Sequence, residues 1–157
     1  MDNNLEHKTI KSFMTTDLIT VGPAAHIKEV IRLFTEKAVS GIPVVDAANK
    51  LLGVVTKKDL IDALLPTYLD LMEHVDFIED FGHMELDIFE EFDNPLFIAA
   101  DMMNAHPVTV TQDCTLLKAA ALMNKNNVEA LLVVIGGKLT GVFALTDLCK
   151  ALFTLTQ

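Results

Sequence analysis

Tryptophan is absent from this chain of 157 residues, tyrosine occurs once, cysteine twice, and Arg32 is the only arginine. Each scarcity excludes something. Cys114 and Cys149 form neither a disulfide framework nor a close metal-ligating pair, and both are read as reduced thiols. A single arginine and a net charge of -10 argue against nucleic acid as a main partner, because gripping phosphodiester backbones needs clustered Lys and Arg. Only 7 Gly and 5 Pro in a chain that is 51% hydrophobic exclude collagen-like, low-complexity and mainly disordered chains. No run approaches the ~18 uninterrupted apolar residues that span a bilayer; the longest, such as Leu131 to Ile135, are strand-length. The opening residues lack the basic-then-apolar layout of a signal peptide, so a cytoplasmic location without membrane insertion is expected.

Recognisable catalytic patterns are missing too. The five histidines show no zinc spacing. Ser12 and Ser40, the only serines, do not sit in Gly-x-Ser-x-Gly, and there is no Gly-x-Gly-x-x-Gly or phosphate-loop lysine. Catalysis is not expected and no metal site is assigned. Asp70, Glu73 and His74 share a helical face, which reads more simply as a solvated acidic surface than as a cation site.

What is present begins with the placement of charge. Between Pro66 and Asn94 lie ten acidic residues and no Lys or Arg; the remaining 12 acids balance the 12 bases. Leu69, Met72, Val75, Phe77, Phe81, Ile88, Phe89 and Phe92 are interleaved with the acids, which a disordered acidic linker seldom shows. The pattern predicts two amphipathic helices, roughly 62–80 and 84–93, broken near Gly82.

The chain on either side repeats. At an offset of 89, Met14 falls on Met103, Thr20-Val21 on Thr109-Val110, Val39 on Val128 and Val44-Val45 on Val133-Val134. At an offset of 88, Lys50-Leu51 falls on Lys138-Leu139, Gly53-Val54 on Gly141-Val142 and Asp59-Leu60 on Asp147-Leu148. The slip lies in a turn, where Asp46-Ala47-Ala48-Asn49 is replaced by the shorter Ile135-Gly136-Gly137. Turns tolerate a length change that would invert the faces of a strand. The expected division is repeat 1 at 11–65, an acidic helical insert at 66–99 and repeat 2 at 100–154.

Each copy reads as a short lead-in helix ending near Met14 or Met103, then a strand (Leu18 to Val21, or Pro107 to Val110), then an amphipathic helix. A hairpin follows, Ile42 to Val45 with Leu51 to Val55, or Leu131 to Val134 with Leu139 to Phe143; a last helix starts at Lys57 or Leu145. The class is α+β, βαββα twice. One such unit is too small to close a core, so the two are expected to pack face to face.

The stretches Phe13-Met14-Thr15, Val39 to Asp46 and Leu52 to Leu60 resemble the cystathionine beta-synthase (CBS) domain, and Met102-Met103, Val133-Val134 and Gly141 to Leu148 repeat the likeness more loosely. The resemblance covers about 110 of the 157 residues and omits the acidic insert. It implies a tandem pair about a pseudo-two-fold axis, with two clefts between the repeats for adenine nucleotides (AMP, ADP, ATP) or S-adenosylmethionine. It further implies a regulatory role towards a separate effector enzyme or transporter, and a homodimer. No fused effector is expected within these 157 residues.

By the family's pattern each cleft mixes the copies. The favoured one joins Thr146 and Asp147 to Asp17, Ile19, Val39, Ser40, Gly41, Ile42 and Pro43. The second joins Thr56, Lys58 and Asp59 to Val108, Ala130 and Leu132, with Glu129 standing where repeat 1 has Ser40. A carboxylate can accept two hydrogen bonds from a ribose diol, and a hydroxyl at a helix start can meet a phosphate. Thr56-x-x-Asp59 is equally a capping box, and both readings stand. Ala144 breaks the motif in repeat 2. Without arginines at either cleft, a polyphosphate would need Mg2+, so few phosphates are expected. The rival expectation is a dimerisation scaffold with degenerate clefts that acts through the acidic insert.

Overall fold

The computed structural model describes residues 7–64 and 93–156. A 3-10 turn, Ile10–Ser12, leads into repeat 1, followed by α1 (Ile27–Glu36), β1 (Gly41–Val45), β2 (Leu51–Thr56) and α2 (Lys57–Leu64). Repeat 2 contains α3 (Ala99–Met102), β3 (Thr109–Val110), α4 (Leu116–Asn126), β4 (Ala130–Ile135), β5 (Lys138–Ala144) and α5 (Leu145–Leu155). The fold is α+β and duplicated. The predicted acidic helices, 62–80 and 84–93, fall almost wholly outside the described residues, as do Asp70, Glu73 and His74. Where the chain re-enters at Asp93, that carboxylate pairs with Lys28, and the His26 Nε2–H donates to the Asn94 carbonyl at 3.0 Å.

Local chemistry fixes the elements. The imidazole of His26 caps α1, its Nδ1 accepting from Lys28 N at 3.1 Å, while Thr115 Oγ1 caps α4 by accepting from Lys118 N at 3.3 Å. The longer hairpin turn is closed by Asp46 Oδ1, which accepts from Ala48 N and Lys50 N, both at 2.9 Å, with Asn49 at φ 62°. The shorter turn uses Gly136 and Gly137 at φ 57° and 79°, values that favour glycine. Both hairpins carry a bulge at the same place, between Val44 and Val45 and between Val133 and Val134.

One expected strand is corrected. Leu18 to Val21 is not a strand; only Val21 makes an isolated parallel bridge, to Val44. The reason is Pro43. Val45 N donates to Val21 O (3.0 Å) and Val21 N donates to Pro43 O (3.1 Å), so the next rung would be a Pro43 N–H donating towards Ile19. Proline has no N–H, and the ladder stops. In repeat 2 the same position is Leu132, whose N–H donates to Val108 O at 3.1 Å, and β3 pairs with β4. The sheets are therefore β1-β2 and β3-β4-β5.

The repeats are joined by a reciprocal exchange of their lead-ins. Thr15 bonds both ways with Val142 of β5 (2.9 and 2.9 Å), and Asn104 bonds both ways with Val54 of β2 (2.9 and 3.1 Å). Ile10 N donates to Cys114 O and Leu116 N to Lys8 O; the related pair is Ala99 N to Ala25 O and Ile27 N to Phe97 O. The cores follow suit. Ile10, Phe13 and Met14 pack into the core of repeat 2 with Leu131, Val133 and Phe143. Phe97, Ala99 and Met103 pack into that of repeat 1 with Ile42, Val44 and Val55. Cys114 lies in the first of these cores, and burial pushes its thiol above the ordinary range; Cys149 is exposed.

Gly53 and Gly141 are the two contact points of the exchange. A Cβ at Gly53 would lie 2.7 Å from Asn104 O and 2.8 Å from Met103 Sδ; one at Gly141 would lie 2.9 Å from Met14 Sδ and 3.3 Å from Thr15 O. A methionine side chain can move aside, whereas a backbone oxygen in a two-bond bridge cannot do so cheaply. Gly53→Ala is expected to cost about 1–3 kcal/mol in urea unfolding, and Gly141→Ala distinctly less. Equal costs would show that the two seams are equivalent.

Candidate functional site

The helix mouths that follow β2 and β5 share one design and differ at the N-cap side chain, Thr56 against Ala144. At α2, Thr56 N and Thr56 Oγ1 both donate to Asp59 Oδ2, at 2.6 and 2.7 Å, and Asp59 N donates back to Thr56 Oγ1 at 3.3 Å. This is a complete capping box. At α5, Ala144 offers no side-chain acceptor, and only the return bond survives, Ala144 N donating to Asp147 Oδ2 at 3.0 Å. Lys150 Nζ then meets the other oxygen, Oδ1, at 3.3 Å.

Exposure follows from these bonds. Asp147 is 3% exposed, with both carboxylate oxygens engaged inside the chain. Asp59 is half-buried, and its capping bonds all fall on Oδ2. One aspartate is thus committed to its own helix, and the other keeps an oxygen in hand.

A cavity of about 770 Å³ opens beside Asp59. All six residues expected at the second cleft line it: Thr56, Lys58 and Asp59 on one side, Val108, Ala130 and Leu132 on the other. The volume lies within the range of small-molecule sites, ~300–1,000 Å³. Its apolar wall, extended by Val128 and Val142, suits a flat ring, and the α2 N-terminus contributes polar groups to its lining. The exchange seam forms part of the lining, because Val54 and Asn104 both contribute.

Of the set expected at the favoured cleft, Ser40 and Gly41 line the Asp59 cavity. Ile42, Pro43 and Asp147 are buried, Ile19 and Val39 are half-buried, and Asp17 and Thr146 are exposed. Asn104, Asn124 and Asn127 also line the cavity and were not singled out from the sequence. Only the lead-in exchange carries Asn104 to this place, and no residue type announces it. Asn127 had a local signal, since asparagine is a favoured left-handed residue at a helix end, and here it closes α4 at φ 51°.

With two matched halves, crossed lead-ins and a cleft at a helix mouth, the architecture is that of a tandem domain pair. The CBS domain family matches the chain over residues 10–66 and 99–154, and the chain belongs to that family. It is 33% identical over 140 residues to MJ1426 of Methanocaldococcus jannaschii, covering 79% of each chain. It is 28% identical over 141 residues to inosine-5'-monophosphate dehydrogenase of Korarchaeum cryptofilum, covering 89% of this chain but only 23% of the dehydrogenase. Among solved structures, CBSX2 of Arabidopsis thaliana in complex with AMP superposes with a TM-score of 0.73 at 26% identity, covering 96% of this chain and 99% of that one. Among the described residues no helix is long and apolar enough to cross a membrane, and no cluster of three or more potential ligands could hold a metal ion.

The different commitments of the two aspartates are separable by mutation. Asp147→Ala unpins the α5 mouth and leaves the Lys150 ammonium without its partner, and is expected to cost about 1–3 kcal/mol of stability. Thr56→Ala removes one half of a box and is expected to cost about 0.5–2 kcal/mol. Chemical unfolding of both variants checks the ranking; a neutral Asp147→Ala would mean that its carboxylate is not structural.

Proposed function

We propose that this CBS pair is a regulatory sensor. It binds an adenosine-containing ligand in the Asp59 cavity and transmits occupancy to a separate effector, acting as a binding module and not as an enzyme. The observation that carries the reading is the convergence of Thr56 and Asp59 from one repeat with Val108, Ala130 and Leu132 from the other around a single nucleotide-sized cavity. The AMP complex of a relative matched along nearly its full length supports an adenosine ligand. Asp59 accepts ribose hydroxyls, the α2 mouth faces the phosphate, and the valine-rich wall holds the base. Such a ligand bridges the repeats, and it shifts their packing by its differential affinity for the two arrangements.

Calorimetry and thermal shift with AMP and S-adenosylmethionine test this. AMP is expected to raise the melting temperature, and Asp59→Asn is expected to weaken binding by roughly tenfold or more, in line with the loss of charge-assisted hydrogen bonds. Asp147→Asn leaves affinity unchanged. Loss of binding only in the Asp147 variant would move the site to the other cleft.

The scaffold reading retains one observation in its favour: both aspartates cap their own helices. A ligand-blind protein would establish it. Under either reading we propose a homodimer. Support comes from α5, where Leu145, Cys149, Leu152 and Phe153 are exposed on one uncharged face. Phe153→Asp is expected to shift sedimentation from dimer to monomer; an unchanged profile would place the dimer contact elsewhere.

A further inference from the structure

Building on the adenosine reading above, we infer that Glu129 makes the cavity selective for a nucleotide of low charge, carrying one phosphate in preference to three. Among the described residues the lining holds four charged side chains, Lys57, Lys58, Asp59 and Glu129. The Lys58 charge is offset, its Nζ bound to the Asp62 carboxylate at 2.8 and 2.9 Å, while Asp59 takes two bonds from the neutral donors of Thr56 on Oδ2 alone and keeps its negative charge.

Lys57 and Glu129 remain, and neither side chain has a hydrogen bond or ion pair among the described residues. Glu129 is held only through its backbone, its carbonyl accepting from Leu145 N at 2.8 Å. Arg32, the only arginine of the chain, is not part of the lining. Among the described residues Lys57 is thus the one uncommitted cation for a first phosphate, and Glu129 adds an anion to the same lining. Each further phosphate adds negative charge near that carboxylate with no further uncommitted cation among the described lining residues to meet it.

The duplication supplies an internal control. Position 129 corresponds to Ser40, a neutral residue that lines the same cavity. The two repeats therefore present different charges at equivalent positions of one wall. Because only the Glu129 main chain is engaged, neutral replacements leave the fold intact.

Isothermal titration of the full chain with AMP, ADP and ATP, in EDTA to remove divalent cations, reads the selectivity. The wild type is expected to prefer AMP to ATP by roughly tenfold or more, with ADP between, and added salt narrows the gap. Glu129→Gln keeps shape and removes charge; it is expected to shrink the AMP-to-ATP ratio by about threefold or more, chiefly by tighter ATP binding. Glu129→Ser is expected to act alike, with the unliganded melting temperature unchanged for both variants. ATP binding as tight as AMP in the wild type overturns the charge selection and leaves the adenosine reading standing. An unchanged ratio in Glu129→Gln likewise removes Glu129 from the role. Failure of all three nucleotides to bind overturns the adenosine reading and this inference together.

Discussion

The structure depends on a reciprocal loan of backbone hydrogen bonds. Thr15 completes the edge of β5, and Asn104 completes the edge of β2. Each hairpin offers an unpaired edge and an open core, and the other half supplies both a bridging residue and the missing apolar residues. A unit of about 55 residues buries little surface and is marginal on its own, and its exposed edge invites non-specific pairing. The exchange settles both problems with one set of contacts. It also explains why the glycines of β2 and β5 lie beneath methionines from the opposite half.

The exchange is nearly symmetric, and the departures from symmetry separate the two helix mouths. Pro43 ends a parallel ladder that Leu132 continues. Thr56 completes a capping box that Ala144 leaves half made. Deprived of the hydroxyl, the second mouth closes over its aspartate and ties it to Lys150; the first keeps its aspartate accessible at the edge of a large cavity. The asymmetry is energetic as well as geometric. A carboxylate withdrawn from water must have its oxygens satisfied within the protein, so Asp147 is more valuable as a strut than as a ligand contact.

Much of the architecture was legible in the chain. The offsets of 89 and 88 located both hairpins and the helix starts at Lys57 and Leu145, because these features are written in local periodicity and turn chemistry. The strand expected at Leu18 to Val21 was not formed, although the reason was present in the sequence: a proline one strand away withholds a donor, and the effect is visible only once the partner is known. The lead-in exchange was hidden for a similar cause. Backbone bonds between distant segments carry no residue signature beyond the matched Gly53 and Gly141. The residues expected at the less favoured cleft are the ones that line the cavity of about 770 Å³. Which mouth stays open is decided by packing around Asp147 and a contact from Lys150 one turn away, and residue type alone does not encode that balance.

The crossed lead-ins bear on ancestry. A polypeptide carrying one copy has the segment that fits this core, but the segment is directed away from it. Such a chain could have built the same object only by trading arms with a twin, as swapped dimers do. Gene fusion would then have turned an encounter between molecules into one within a molecule, at high effective concentration. Freed from identity, the two arms and the two mouths could drift apart, one towards recognition and the other towards support.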